Sequence, residues 1–93
     1  MKHIFLYTMD GCPHCSNMKD MLRKEGIEYN ERNIKDYDEE YKQFVHATSN
    51  DFLPAFTLLE MKDGEEPEVE FLTPDDSFKD LNEAVTKVKE FLL

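Results

Sequence analysis

Basic residues are scarce in this sequence. Eleven lysines and arginines stand against 21 aspartates and glutamates, a formal net charge of −10 over 93 residues. Such a surface repels phosphate backbones and anionic lipid, so neither nucleic acid nor a membrane is an expected partner. No apolar run approaches the ~20 residues that a membrane-spanning helix needs, and no secretory pattern opens the chain. A cytoplasmic protein is therefore expected. Repeats and low-complexity tracts are missing as well. Cysteine is nearly absent, with two residues in the whole chain. In a cytosolic setting, two thiols point to catalysis before a structural staple. The remaining composition, 40% hydrophobic and 34% charged, fits one folded domain over residues 1–93 with a single small core.

Both cysteines fall in one stretch, Gly11-Cys12-Pro13-His14-Cys15. An apolar run, His3 to Tyr7, precedes it and an amphipathic segment follows, so the C-x-x-C lies between a strand and a helix, the local pattern of a thiol redox site. With Cys12 where the helix begins, Cys15 lies in the first turn on the same side. The two sulfurs can then join as a small disulfide or part as a dithiol. Unpaired N–H groups and the positive end of the helix dipole favour a thiolate on Cys12. Pro13 suits the first helical position, where an N–H has no partner. His14 beside the sulfur favours the charged form, and Asp10 opposes it by like-charge repulsion.

The rest of the chain reads as alternating elements. Residues 2–8 form a first strand whose near-continuous apolar run belongs in the middle of a sheet. A helix from Pro13 to Glu25 turns Cys15, Met18 and Leu22 inward with Met21 alongside, and Gly26 caps it. Packing is the default role of the methionines. Ile27 to Ile34 reads as a second strand, and an acidic start at Asp36 to Glu40 opens a second helix with Tyr41, Phe44, Val45 and Thr48 on one face. Ser49-Asn50-Asp51 is a turn. Pro54 opens a third strand, Ala55 to Leu59; the Asp63-Gly64 turn leads to a half-exposed edge strand, Glu68 to Phe71. The last helix starts at a capping pair, Ser77 with Asp80, and buries Phe78, Leu81, Val85, Val88 and Leu92. The order βαβαββα predicts an α/β fold, a four-stranded mixed sheet with helices on both faces. Residues 60–76 carry eight acidic side chains against Lys62 alone. A solvated face accounts for them, with steering of a partner as the alternative.

These segments together resemble the glutaredoxin family, small redoxins of thioredoxin fold. Tyr7 to Cys15 is similar to that family's strand-to-helix active site, and Lys19 to Ile27 to its helix and glycine stop. Phe52-Leu53-Pro54 falls where the family has Thr-Val-Pro with a cis proline. Leu72-Thr73-Pro74-Asp75-Asp76 falls where it has Gly-Gly and an acidic pair. The resemblance implies that Cys12 is the nucleophile and Cys15 the resolving thiol, supported by Tyr7, Gly11, Pro13, His14, Leu53 and Pro54. It also implies a groove for a partner or glutathione near Lys19, Leu72, Thr73, Asp75 and Asp76. On this reading no cofactor is bound beyond the Cys12–Cys15 pair itself. Glutathione or thioredoxin reductase supplies electrons, the substrate is a protein disulfide, a ribonucleotide reductase is one acceptor, and the protein is a monomer.

Three positions depart from the family. Met9 replaces a common lysine, Leu72 and Thr73 replace the glycine pair, and His14 replaces tyrosine, giving the C-P-H-C of strongly oxidising thioredoxin-fold proteins. Protein disulfides are thus expected to be reduced readily and glutathione mixed disulfides poorly. Two other classes fit a C-x-x-C. A redox-switched interaction protein would use the disulfide once per signal, whereas a catalyst turns over. A zinc module would need two more ligands, for which only His3, His14 and His46 are candidates. His14 lies inside the motif, and His3 and His46 are single residues on different elements that read as surface or edge histidines.

Overall fold

The computed structural model describes residues 1–93. The elements run β1 (Lys2–Thr8), α1 (Pro13–Lys24), β2 (Asn30–Asn33), α2 (Asp38–Thr48), β3 (Ala55–Glu60), β4 (Glu68–Leu72) and α3 (Leu81–Leu92). The expected order βαβαββα is present. The strands form one mixed sheet, β2-β1-β3-β4, with β1 and β2 parallel and the other two pairs antiparallel. A parallel pair needs a crossover, which α1 provides; β3 and β4 are joined by a turn with Gly64 at φ 75°.

Alternation along β1 divides the core. Ile4 and Leu6 face a larger cluster with Met18 and Leu22 of α1, Phe56 and Leu58 of β3, and Ala84, Val85 and Val88 of α3. Tyr7 faces the other way and packs with Phe44 of α2 and Ala55. Helices α1 and α3 therefore cover one face of the sheet, and α2 the other. Leu22 is fully buried, so its replacement by alanine costs about 2–5 kcal/mol. The motif thus lies between the strand with the most buried residues and a helix packed against it.

Three local expectations are corrected. The second strand is confined to Asn30–Asn33 and does not begin at Ile27. Gly26 takes φ 68°, and the Ile27 N–H donates to the Leu22 carbonyl at 3.0 Å, so this backbone closes the end of α1. Asn30 Nδ2 then donates to the Ile4 carbonyl (3.3 Å), while Ile27 and Tyr29 still pack against the core. The last helix is capped by Asp80, whose carboxylate accepts from the Glu83 N–H at 2.8 Å. Glu83 in turn accepts from the Lys79 N–H at 2.8 Å. Ser77 accepts instead from the Thr73 N–H. Leu92 is 42% exposed, because the buried stripe of α3 runs through Ala84, Val88 and Phe91 and leaves residue 92 at its margin.

Candidate functional site

The strand-to-helix corner assembles the site from local chemistry. Gly11 takes φ 73°, a left-handed conformation that lets the chain turn sharply after β1. Pro13 opens α1, and Cys12 is its N-cap, with extended backbone at φ −101° and ψ 103°. The Cys15 N–H donates to Cys12 Sγ at 3.1 Å. The two cysteines are joined as a disulfide with Cα atoms 5.2 Å apart. Their exposure differs. Cys15 is 2% exposed, whereas Cys12 is only partly buried. The first turn of α1 holds no acidic residue, so nothing in that turn offsets its N–H groups. The pair can take up two electrons and two protons, with Cys12 the accessible sulfur.

A cavity of about 410 Å³ lies beside the sulfurs, lined among others by Met9, Cys12, Cys15, Lys19, Glu31 and Asn33. Lys19 pairs with Glu31 at 3.2 Å, and the buried Thr8 hydroxyl donates to the same carboxylate oxygen at 2.7 Å. The Thr8 bond, with help from Lys19 and against burial, holds the Glu31 carboxyl below its ordinary range. Asp10 accepts from Asn33 (3.0 Å) and Lys35 (3.2 Å), and both bonds lower its pKa in that order. The negative charge expected to oppose a Cys12 thiolate is therefore already paired with Lys35. Sequence reading missed Thr8, Glu31, Asn33 and Lys35. Their signal is the parallel register Leu6↔Glu31 and Thr8↔Asn33, which no local pattern announces.

A second cavity, about 430 Å³, is lined by His14, Leu53, Pro54, Pro74, Phe78, Lys79, Asp80 and Leu81. The Leu53–Pro54 bond is cis. Leu72 and Thr73, which replace the family's glycine pair near the expected groove, do not offer their side chains to it. Leu72 (2% exposed) points into the main core, and Thr73 (4%) is buried too. The Thr73 backbone is already occupied. The Thr73 N–H donates to Ser77 Oγ (3.0 Å), and its carbonyl accepts from the Ser77 N–H (2.9 Å). Asp75 and Asp76 are exposed on this loop, with Asp75 at φ 71°.

Other expected residues lie apart. Tyr7 is buried on the α2 face, where its hydroxyl donates to Glu40 (2.9 Å) and lies 3.2 Å from Thr57 Oγ1. Burial pushes its pKa up to about 12. Tyr7 lines neither of these two cavities. His3 stacks on Phe5, and His46 is exposed in the last turn of α2. No three His, Cys, Asp or Glu side chains gather where a metal ion could be held. No helix is long and apolar enough to cross a membrane. A larger cavity, about 520 Å³, lies by Lys2 to Ile4 at the opposite end of β1 from the sulfurs.

Comparison with known proteins adds the family to this geometry. Residues 4–55 match the family Glutaredoxin. Curated protein sequences give no significant match. Among solved structures, the thioredoxin-like protein BC3987 is similar at 19% identity and a TM-score of 0.58, covering 95% of this chain and 97% of that one. A mutant of it gives the same identity and TM-score, covering 97% of this chain and 99% of that one. At this identity the likeness speaks for the fold, which is thioredoxin-like. The family match spans more than half of the chain, including β1, the C-x-x-C and Pro54. With Cys12 and Cys15 bonded at the head of α1, this chain is a thiol redox protein and belongs to the glutaredoxin family.

Proposed function

We propose that the protein is a thiol-disulfide oxidoreductase that reduces protein disulfides with Cys12 as nucleophile and Cys15 as resolving thiol. The observation that carries this reading is the asymmetry of the pair. Cys12 is the partly exposed N-cap that accepts a backbone N–H, and Cys15 is buried behind it. The Cys12 thiolate attacks one sulfur of a partner disulfide; that S–S bond breaks, a mixed disulfide forms, and a partner thiolate leaves. Cys15 then gives its proton to the departed thiolate and attacks Cys12 Sγ; the Cys12–partner S–S bond breaks, and the second partner thiolate leaves and takes from solvent the proton that Cys12 gave up on ionising. The partner gains two electrons and two protons, and Cys12–Cys15 is left oxidised. A thiol donor, glutathione or a thioredoxin-reductase-type enzyme, restores the dithiol. A ribonucleotide reductase is one acceptor with suitable chemistry, and on this reading the protein works as a monomer in the cytoplasm, where a reducing donor sustains the cycle.

Apolar walls that share a cavity with His14 of the C-x-x-C (Leu53, Pro54, Pro74, Phe78) support a polypeptide partner. Occupied amide and carbonyl groups at Thr73 and the uncharged Met9 argue against strong glutathione binding. Turnover of insulin disulfides with each donor tests the proposal. Cys12→Ser is expected to abolish turnover, and Cys15→Ser to accumulate a mixed disulfide through Cys12. A single equivalent of reduction without turnover would instead mark a redox-switched interaction protein.

A further inference from the structure

Asn50 is 8% exposed, although the sequence places it in a polar turn between α2 and β3. Its side chain joins two loops. Oδ1 accepts from the Phe52 N–H at 2.9 Å, the usual local bond of an asparagine turn. Nδ2 donates to the Pro74 carbonyl at 2.9 Å and lies 3.4 Å from Asp76 Oδ2, more than twenty residues away. The turn does not require that second set of bonds, and an asparagine at the surface would give them to water. A buried amide that lacked them would be costly, so the loop is built around them.

We infer that Asn50 is a positioning residue for the partner groove, tying the Leu53–Pro54 turn to the Thr73–Phe78 loop so that the two apolar walls of the His14 cavity keep their spacing. The inference rests on the proposed reduction of protein disulfides. The two loops differ in how they are held. Residues 50–54 have no helix or strand hydrogen bonding of their own and are held from α2, where the Tyr41 hydroxyl donates to the Asp51 carbonyl (3.0 Å) and Thr48 Oγ1 bonds the Asn50 backbone (3.3 Å). The Thr73–Phe78 loop is closed on itself: Ser77 N–H to Thr73 carbonyl, Thr73 N–H to Ser77 Oγ, and Asp75 N–H to Phe78 carbonyl (2.9 Å). Through Asn50 the segment held from α2 is fastened to the self-closed Thr73–Phe78 loop. Leu53 and Pro54 come from the first, and Pro74 and Phe78 from the second. Cys12 and Cys15 touch neither bond. Asn50 therefore acts on how a polypeptide docks and leaves the thiol chemistry alone.

The test compares Asn50→Asp and Asn50→Ala with wild type. The aspartate variant is close in shape and keeps the acceptor for Phe52, but it loses the donor to Pro74. Both variants are expected to raise KM for insulin roughly tenfold, the size of one lost hydrogen bond, with kcat within about twofold. Reduction of their own disulfide by dithiothreitol is expected to proceed at the wild-type rate. In wild type, the Asn50 side-chain amide protons are expected to exchange slowly. Fast exchange would overturn the clamp without recourse to any variant. So would a lowered melting temperature with wild-type KM, an effect confined to Asn50→Ala, or a matching loss in the dithiothreitol reaction. If wild type itself turns over no protein disulfide, both readings fall; if it does and the variants match it, only this one falls.

Discussion

Reduced Cys12 is expected to be a stronger acid than an ordinary thiol, whose pKa lies near ~8.5. Two features of the corner set the size of the effect. The Cys15 N–H already points at Cys12 Sγ at 3.1 Å, and such a bond to a charged acceptor is worth about 1.5–3 kcal/mol. The helix terminus adds about 0.3–1 kcal/mol, with no acidic side chain in the first turn to cancel it. Against this, Cys12 is partly exposed, so water already stabilises the thiolate in part and the sum should be roughly halved. About 1–2 kcal/mol remains, roughly a five- to thirtyfold gain in thiolate fraction near neutral pH. The assay is the alkylation rate against pH in Cys15→Ser, which isolates Cys12 while keeping the backbone N–H. The same variant in urea, where the helix start is lost, supplies the reference. Overlapping folded and unfolded titrations would refute the assignment of Cys12 as the activated sulfur.

Met9→Lys is expected to improve turnover of a glutathionylated peptide more than turnover of insulin; Leu72→Gly will not help, since it empties the core and costs at least the ~2–5 kcal/mol of a leucine truncation. Tyr7 has its folded pKa raised above the unfolded value of 10.0 to about 12 by burial, so the stability it contributes is present below pH 10 and lost as pH rises through about 12. Two units would amount to ~2.7 kcal/mol; with the Glu40 side chain 42% exposed, about 1–2 kcal/mol is expected, and denaturant unfolding of wild type and Tyr7→Phe at about pH 8 and about pH 11 measures it. A wild type whose stability changes no more than that of Tyr7→Phe over this range would contradict it. Asp80→Ala should cost about 0.5–2 kcal/mol in unfolding experiments by removing the α3 cap, whereas an equal loss of helical signal in Ser77→Ala would restore the rejected cap.

The parts of the fold legible in the sequence are those set by neighbours along the chain. Strand, glycine, N-cap cysteine and first-position proline all sit within about one turn of each other, so the redox corner could be read directly. The C-terminal cap was harder. Ser77-x-x-Asp80 and Asp80-x-x-Glu83 both have capping form, and only glutamate is long enough to reach back to an amide, which it does at Lys79. The second strand looks longer in the sequence than it is, because apolar Ile27 and Tyr29 pack on the core without pairing. What could not be read depends on register between distant segments. Glu31 meets Thr8 because β2 pairs with β1 from Asn30, and Leu72 turns inward because it lies opposite Phe56 on β3.

A helix capped by sulfur ties folding to electron count. While Cys12 and Cys15 are bonded, the acceptor at the head of α1 is a neutral disulfide sulfur; after reduction and ionisation it is an anion in the same place. The two states close a thermodynamic cycle, so whatever the cap gains on becoming charged stabilises the reduced fold and raises the reduction potential by the same free energy. For a two-electron couple, about 1.4 kcal/mol corresponds to ~30 mV. Any change that tightens the start of α1 around the thiolate would make the protein a better acceptor of electrons, and any change that frays it a better donor. The melting temperatures of the reduced and oxidised forms therefore carry the same information as a redox titration.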